Sequence, residues 1–89
     1  GLAILINAAA PDPAADLRFY LNAFKGLIVD EKIPLVIGVN RIDKTNPSHS
    51  LEYFQEVADE FRDDIPVLMV DVRESRDVRR LVMTLLFTI

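Results

Sequence analysis

Leu35-Val36-Ile37-Gly38-Val39-Asn40-Arg41-Ile42-Asp43 is the stretch that decides how this chain reads. Residues 35–39 form an apolar run, too short for a helix and without polar alternation. That pattern predicts a strand buried on both faces. The run ends in Asn-x-x-Asp and passes into Lys44-Thr45-Asn46-Pro47-Ser48-His49-Ser50, a loop by composition. About thirty residues on, a second run (residues 65–70) ends in Asp71-Val72-Arg73-Glu74.

The segments around these two runs follow the same grammar. Residues 2–6 are short and apolar, closed by Asn7 and by Pro11-Asp12-Pro13, and predict another buried strand. Leu17, Tyr20, Leu21, Phe24 and Leu27 or Ile28 recur at helical spacing, with Asp12 as N-cap and Pro13 at the first helical position. Gly26 weakens the last turn of that helix. Ile33-Pro34 and Ile65-Pro66 each return the chain to extended geometry before a strand. Ser50 is placed to cap a second helix, whose stripe is Leu51, Phe54, Val57 or Ala58, and Phe61. Ser75 is placed to cap a third, with Asp77 in its first turn and a stripe of Val78, Leu81, Val82, Leu85, Leu86 and Ile89. The expected fold class is therefore α/β in three layers: a parallel sheet of three strands in the order βαβαβα, covered by helices.

Bulk composition narrows the function. At 89 residues the chain is one small domain or part of a larger one. A hydrophobic share of 51% argues against disorder. The net charge of −4 disfavours nucleic acid and anionic membrane as partners. No cysteine means no disulfide scaffold and no thiolate metal site, and a single His49 leaves little for a metal centre. No apolar run approaches the roughly 20 residues of a membrane span, and residues 1–10 lack the basic start of a signal peptide. A cytoplasmic home is the expectation.

In a parallel sheet, ligands gather at the carboxyl ends of the strands. Here those ends carry Asn7-Ala8, residues 40–43 and residues 71–74. Guanine presents an acceptor at O6 and donors at N1 and N2. A carboxylate such as Asp43 can accept from both donors at once, which adenine does not offer. The Asn40 amide can tie loops together and donate to N7 or O6, and Arg41 can lay its guanidinium over the base. The backbone of Asp71-Val72-Arg73 can offer an N–H to O6. A site of this kind discriminates because the wrong base leaves buried polar groups unpaired.

Asn40-Arg41-Ile42-Asp43 resembles the Asn-Lys-x-Asp base-specificity motif of Ras-like small GTPases, and Val70-Asp71-Val72-Arg73-Glu74 is weakly similar to their Ser-Ala-Lys element. Residues 6–21 resemble a bacterial branch of that family close to its gliding-motility group. The resemblance covers essentially the whole chain and maps it to the C-terminal half of a G domain, half of a P-loop NTPase-type fold. It implies a signalling protein that binds GTP or GDP, with a roadblock-type regulatory protein as a partner.

Two departures stand against the family pattern. Arg41 replaces the usual Lys, which keeps charge but changes stacking and reach. No Gly-x-x-x-x-Gly-Lys-Ser/Thr loop occurs, since the only glycines are Gly1, Gly26 and Gly38. No switch Thr and no magnesium-binding Asp-x-x-Gly can be assigned, so magnesium would come only with a missing front half. No catalytic residue and no metal ligand is assigned, and GTP or GDP binding by this chain alone is expected to be weak or absent.

Plainer readings compete with each assignment. Asn40 and Asp43 are common turn residues, and 71–73 can be an ordinary loop. Asn7 orders its loop, and His49 faces solvent. Arg76, Arg79 and Arg80 form a solvated helix face, while Asp59, Glu60, Asp63 and Asp64 are surface charge. Phe19, Tyr20 and Phe24 pack in the core or between helix and sheet. A rival function is also open: an interaction or assembly module that pairs or dimerises through an exposed edge strand, residues 2–6. A fragment of an unrelated doubly wound enzyme is a third.

Overall fold

A computed structural model of the chain describes residues 2–40, 50–71 and 73–87. Three parallel strands, β1 (Leu2–Asn7), β2 (Leu35–Asn40) and β3 (Val67–Val70), lie in the order β1-β2-β3. Leu2 stands beside Leu35 and Asn7 beside Asn40, while Ile37 stands beside Val67 and Asn40 beside Val70. The strand ends at Asn7, Asn40 and Val70 are thus brought to one edge of the sheet by parallel pairing in this register.

Alternate residues of each strand feed two separate cores. Ile4, Ile6, Leu35, Ile37, Val39 and Val67 pack on one face with Leu17 and Leu21 of α1 (Pro13–Ala23) and with Phe54, Val57 and Ala58 of α2 (Leu51–Asp59). Val36 and Val70 point to the other face and meet Leu81 of α3 (Ser75–Phe87), with Leu68 and Leu85 alongside. β2 is the central strand and is buried from Leu35 to Val39. Gly38 stands where Leu5, Leu81 and Val70 converge; a Cβ there would lie 2.9 Å from Leu5 Cδ2 and 3.1 Å from Leu81 Cδ1 and Val70 Cγ2.

Local signals explain the helix starts. The Asp12 carboxylate accepts from the Ala15 N–H at 3.1 Å, with Pro13 beginning the helix. The Ser50 hydroxyl accepts from the Tyr53 N–H at 3.2 Å. Asn7 does order its loop, its Oδ1 accepting from the Ala9 N–H at 2.9 Å. At α3 the expectation is off by one residue. Ser75 is already helical, and the carbonyl of Glu74 accepts the first bonds, from Asp77 and Val78.

α1 is shorter than its periodicity suggests. It stops at Ala23, and a single π-helical turn, Gly26–Asp30, carries the chain onward. The extra residue in the π turn rotates the pattern, so Ile28 is fully buried while Leu27 is exposed. Arg62 locks this connection to β2. Its Nη1 donates to the carbonyls of Ile28 and Ile33 at 3.1 and 2.9 Å, and its Nε pairs with Asp64.

Of the three aromatics expected in the core or between helix and sheet, none is buried, with exposures of 69% for Phe19, 43% for Tyr20 and 39% for Phe24, although Tyr20 and Phe24 lie beside β1 and line a groove with Leu2, Ala3, Ile4 and Leu5. Val78, Val82 and Leu86 on α3 are exposed as well. The reason is geometric. The three-strand sheet is narrower than the apolar faces of the helices laid on it. Among the described residues, no helix is long and apolar enough to cross a membrane.

Candidate functional site

At the carboxyl edge of the sheet, a cleft of about 290 Å³ opens between β2 and the turn that joins β3 to α3. Asn40 enters it from β2, Met69 and Val70 from β3, Asp71 and Arg73 from the turn, and Asp77 and Arg80 from α3. Of the residues singled out from the sequence, Asn40, Asp71 and Arg73 are therefore brought together. Arg41, Asp43 and Val72 lie outside the described residues, as does His49.

The turn after β3 is tied by its own side chains. The Asp71 N–H donates to Asp77 Oδ2 at 2.9 Å. Asp71 Oδ1 accepts from the backbone N–H of Arg73 at 3.0 Å and from its Nε at 3.1 Å. Asp71 Oδ2 accepts from Arg73 Nη2 at 3.0 Å, completing a two-pronged ion pair. That pairing holds the Arg73 guanidinium above its ordinary range, because Asp71 accepts its hydrogen bonds and supplies the opposite charge. Arg80 reaches back and donates to the carbonyl of Met69 at the end of β3.

This geometry revises the sequence assignment for 71–73. Of the segment expected to offer one backbone N–H to a ligand, the N–H groups of Asp71 and Arg73 already have partners inside the protein. The Asn40 carbonyl is likewise in use, accepting from the Ala8 N–H at 2.8 Å, so β2 presents its polar chemistry through the Asn40 side chain. The cleft combines an amide, two guanidinium groups and two carboxylates in a space near the lower end of the range of about 300–1,000 Å³ usual for ligand pockets.

Asp77 and Arg80 were missed as site residues. Read from the sequence, Asp77 answers the helix dipole and Arg80 belongs to a solvated face. The signal that finds them is the four-residue link between β3 and α3. So short a link leaves a carboxylate in the first helical turn within reach of the strand end, and a residue three further on shares its face. Arg76 and Arg79 are exposed, as expected. Glu60 is exposed and pairs with Arg18, Nη2 to Oε2 at 3.0 Å. Among the described residues, no group of three His, Cys, Asp or Glu side chains gathers as a metal-binding set.

No family model, no curated protein and no solved structure matches the chain.

Proposed function

We propose that this chain is a guanine-nucleotide-binding module, the base-recognition half of a small regulatory GTPase with a P-loop NTPase-type G domain. The observation that carries the proposal is the shared cleft. Asn40 and the Asp71–Arg73 turn line one space across the ends of adjacent parallel strands, where α/β sheets bind their ligands.

In this reading the Asn40 amide donates to N7 or O6 of the base. Asp43, three residues further on, accepts from N1 and N2, and Arg41 stacks on the ring. Because the N–H groups of Asp71 and Arg73 are committed within the turn, the proposal assigns O6 to the N–H of Val72. The ion pair of Asp71 with Arg73 then acts as the brace that holds the turn in a receptive shape. Arg41, Asp43 and Val72 enter through their places in the sequence.

The phosphates are not part of this site. The chain has no glycine-rich loop with Lys and Ser or Thr, and phosphoryl transfer needs such a cradle and a metal ion. Base contacts of roughly 1–3 kcal/mol each, less the cost of association, leave millimolar affinity at best. Calorimetric titration of the chain with GDP, and with ADP as control, tests this. Weak binding of GDP with weaker or absent ADP binding is expected. Equal affinity for the two would contradict base recognition, and submicromolar affinity would reveal a phosphate site of another kind.

A further inference from the structure

Among the described residues, β3 has β2 as its single strand neighbour. The Ile37 N–H donates to the carbonyl of Pro66 at 2.9 Å, and Ile37 stands beside Val67. In a parallel pair that pattern turns the backbone groups of residues 66, 68 and 70 toward β2. By alternation, those of residues 65, 67, 69 and 71 turn outward. A row of outward N–H and C=O groups is a template on which another strand can pair.

Side chains from both helical layers occupy this row. From α2, on one face of the sheet, Gln55 Nε2 donates to the carbonyl of Ile65 at 3.0 Å. The same nitrogen donates to Asp59 Oδ1 at 3.1 Å, which fixes the amide in place. From α3, on the other face, Arg80 donates to the carbonyl of Met69, and Asp77 Oδ2 accepts from the Asp71 N–H at 2.9 Å. The outward row is therefore taken at both ends. What lies between is the N–H and carbonyl of Val67 and the N–H of Met69, too few groups to anchor a strand. A strand approaching here would also have to displace a guanidinium and a carboxylate from charge-assisted hydrogen bonds, the stronger kind.

We infer that β3 is the terminal strand of its sheet, closed against strand addition by Gln55, Asp77 and Arg80. Strands that a larger assembly adds to this sheet join it elsewhere than at β3. The closure also serves the cleft. Met69, Asp71, Asp77 and Arg80 line it, so a strand paired with the outer edge of β3 would cross its mouth. The bonds that shut the edge thereby keep the cleft open to a ligand, whatever that ligand is. Arg80, whose side chain reads in the sequence as part of a solvated helix face, has its place explained by the Met69 carbonyl it covers.

Amide hydrogen exchange of the chain, followed from micromolar to millimolar concentration, tests the closure. In the parent, exchange at Val67 and Met69 should be independent of concentration. Gln55→Ala and Arg80→Ala together uncover the carbonyls of Ile65 and Met69 and restore an unbroken row from 65 to 69. In that double variant exchange at Val67 and Met69 should slow by about tenfold at the highest concentration, as copies pair through this edge by mass action. Arg80→Ala alone should show a smaller slowing. Its position is exposed, so it guards against loss of folding at the half-buried Gln55, and circular dichroism checks both variants. Exchange at Met69 that already slows with concentration in the parent would overturn the closure. So would exchange that stays independent of concentration in the folded variants.

Discussion

The carboxylate of Asp77 holds the backbone N–H of Asp71 at 2.9 Å, joining the end of β3 to the first turn of α3. This bond shapes the turn that faces Asn40, and it is half-buried. Replacing Asp77 by Ala leaves that N–H without its charged acceptor. Hydrogen bonds to charged groups contribute roughly 1.5–3 kcal/mol, so Asp77→Ala should lower stability by about 1–2 kcal/mol. Urea denaturation measures the loss, and amide exchange at Asp71 should accelerate. Unchanged exchange at Asp71 would show that the bond does not organise the turn.

Gly38 is required by packing rather than by backbone angle. A methyl group there would press on Leu5, Leu81 and Val70 at 2.9–3.1 Å. Overpacking of this kind costs about 1–3 kcal/mol. Gly38→Ala should destabilise the chain by that amount in thermal or chemical unfolding. Leu5 is half exposed and has room to yield, so the double variant Gly38→Ala, Leu5→Ala should recover part of the loss. Full additivity of the two changes would contradict direct contact.

Arg62 serves two carbonyls at once, those of Ile28 and Ile33, with a side chain only 12% exposed. Arg62→Ala strands both acceptors beneath the connection between the π turn and β2. A cost of about 2–3 kcal/mol is expected. Arg62→Lys should restore less than half of it, because an ammonium group does not reproduce the planar fork. Chemical denaturation of the three proteins orders them, and equal stability of the Lys variant and the parent would refute the bridging role.

The Arg18–Glu60 pair makes a prediction about pH. The hydrogen bond from Arg18 holds the Glu60 carboxyl below its ordinary range, and the same bond raises Arg18. A lowered pKa in the folded state means that the pair stabilises the fold above the unfolded carboxylate range. Its contribution is lost as pH falls through the lowered folded value. Both partners are solvated, so the effect on stability is slight. Carbon-detected titration should show the Glu60 midpoint rising toward normal in Arg18→Ala. An unmoved midpoint would mean that the pair does not persist in solution.

Much of the fold is legible in the residues. The strands at 2–6, 35–39 and 67–70 are marked by apolar runs bounded by Asn, Asp and Ile-Pro, and the parallel order follows from the helices between them. Asp12, Pro13 and Ser50 act as helix starts because capping is a local event. What stays hidden depends on tertiary geometry. Periodicity places Tyr20 and Phe24 on the same stripe as Leu17 and Leu21, yet only the latter pair are fully buried, while Tyr20 and Phe24 line an open groove beside β1. The π turn at Gly26–Asp30 shifts the register within an apolar stretch, which a repeat of three and four cannot register. Arg62 bonds to carbonyls 29 and 34 residues away, with no sequence signal. At the candidate site Asn40 and the 71–73 turn are foreseen as neighbours, whereas the internal use of the Asp71 and Arg73 N–H groups is not.

The side-chain amide of Asn40 offers the most direct test of the central claim. In a nitrogen-15 correlation spectrum of the chain, GMP at millimolar concentration should shift the Asn40 side-chain amide together with the backbone signals of residues 71–73. AMP at the same concentration should leave them in place. Shifts of equal size with both nucleotides, or GMP shifts that spare Asn40, would contradict the account.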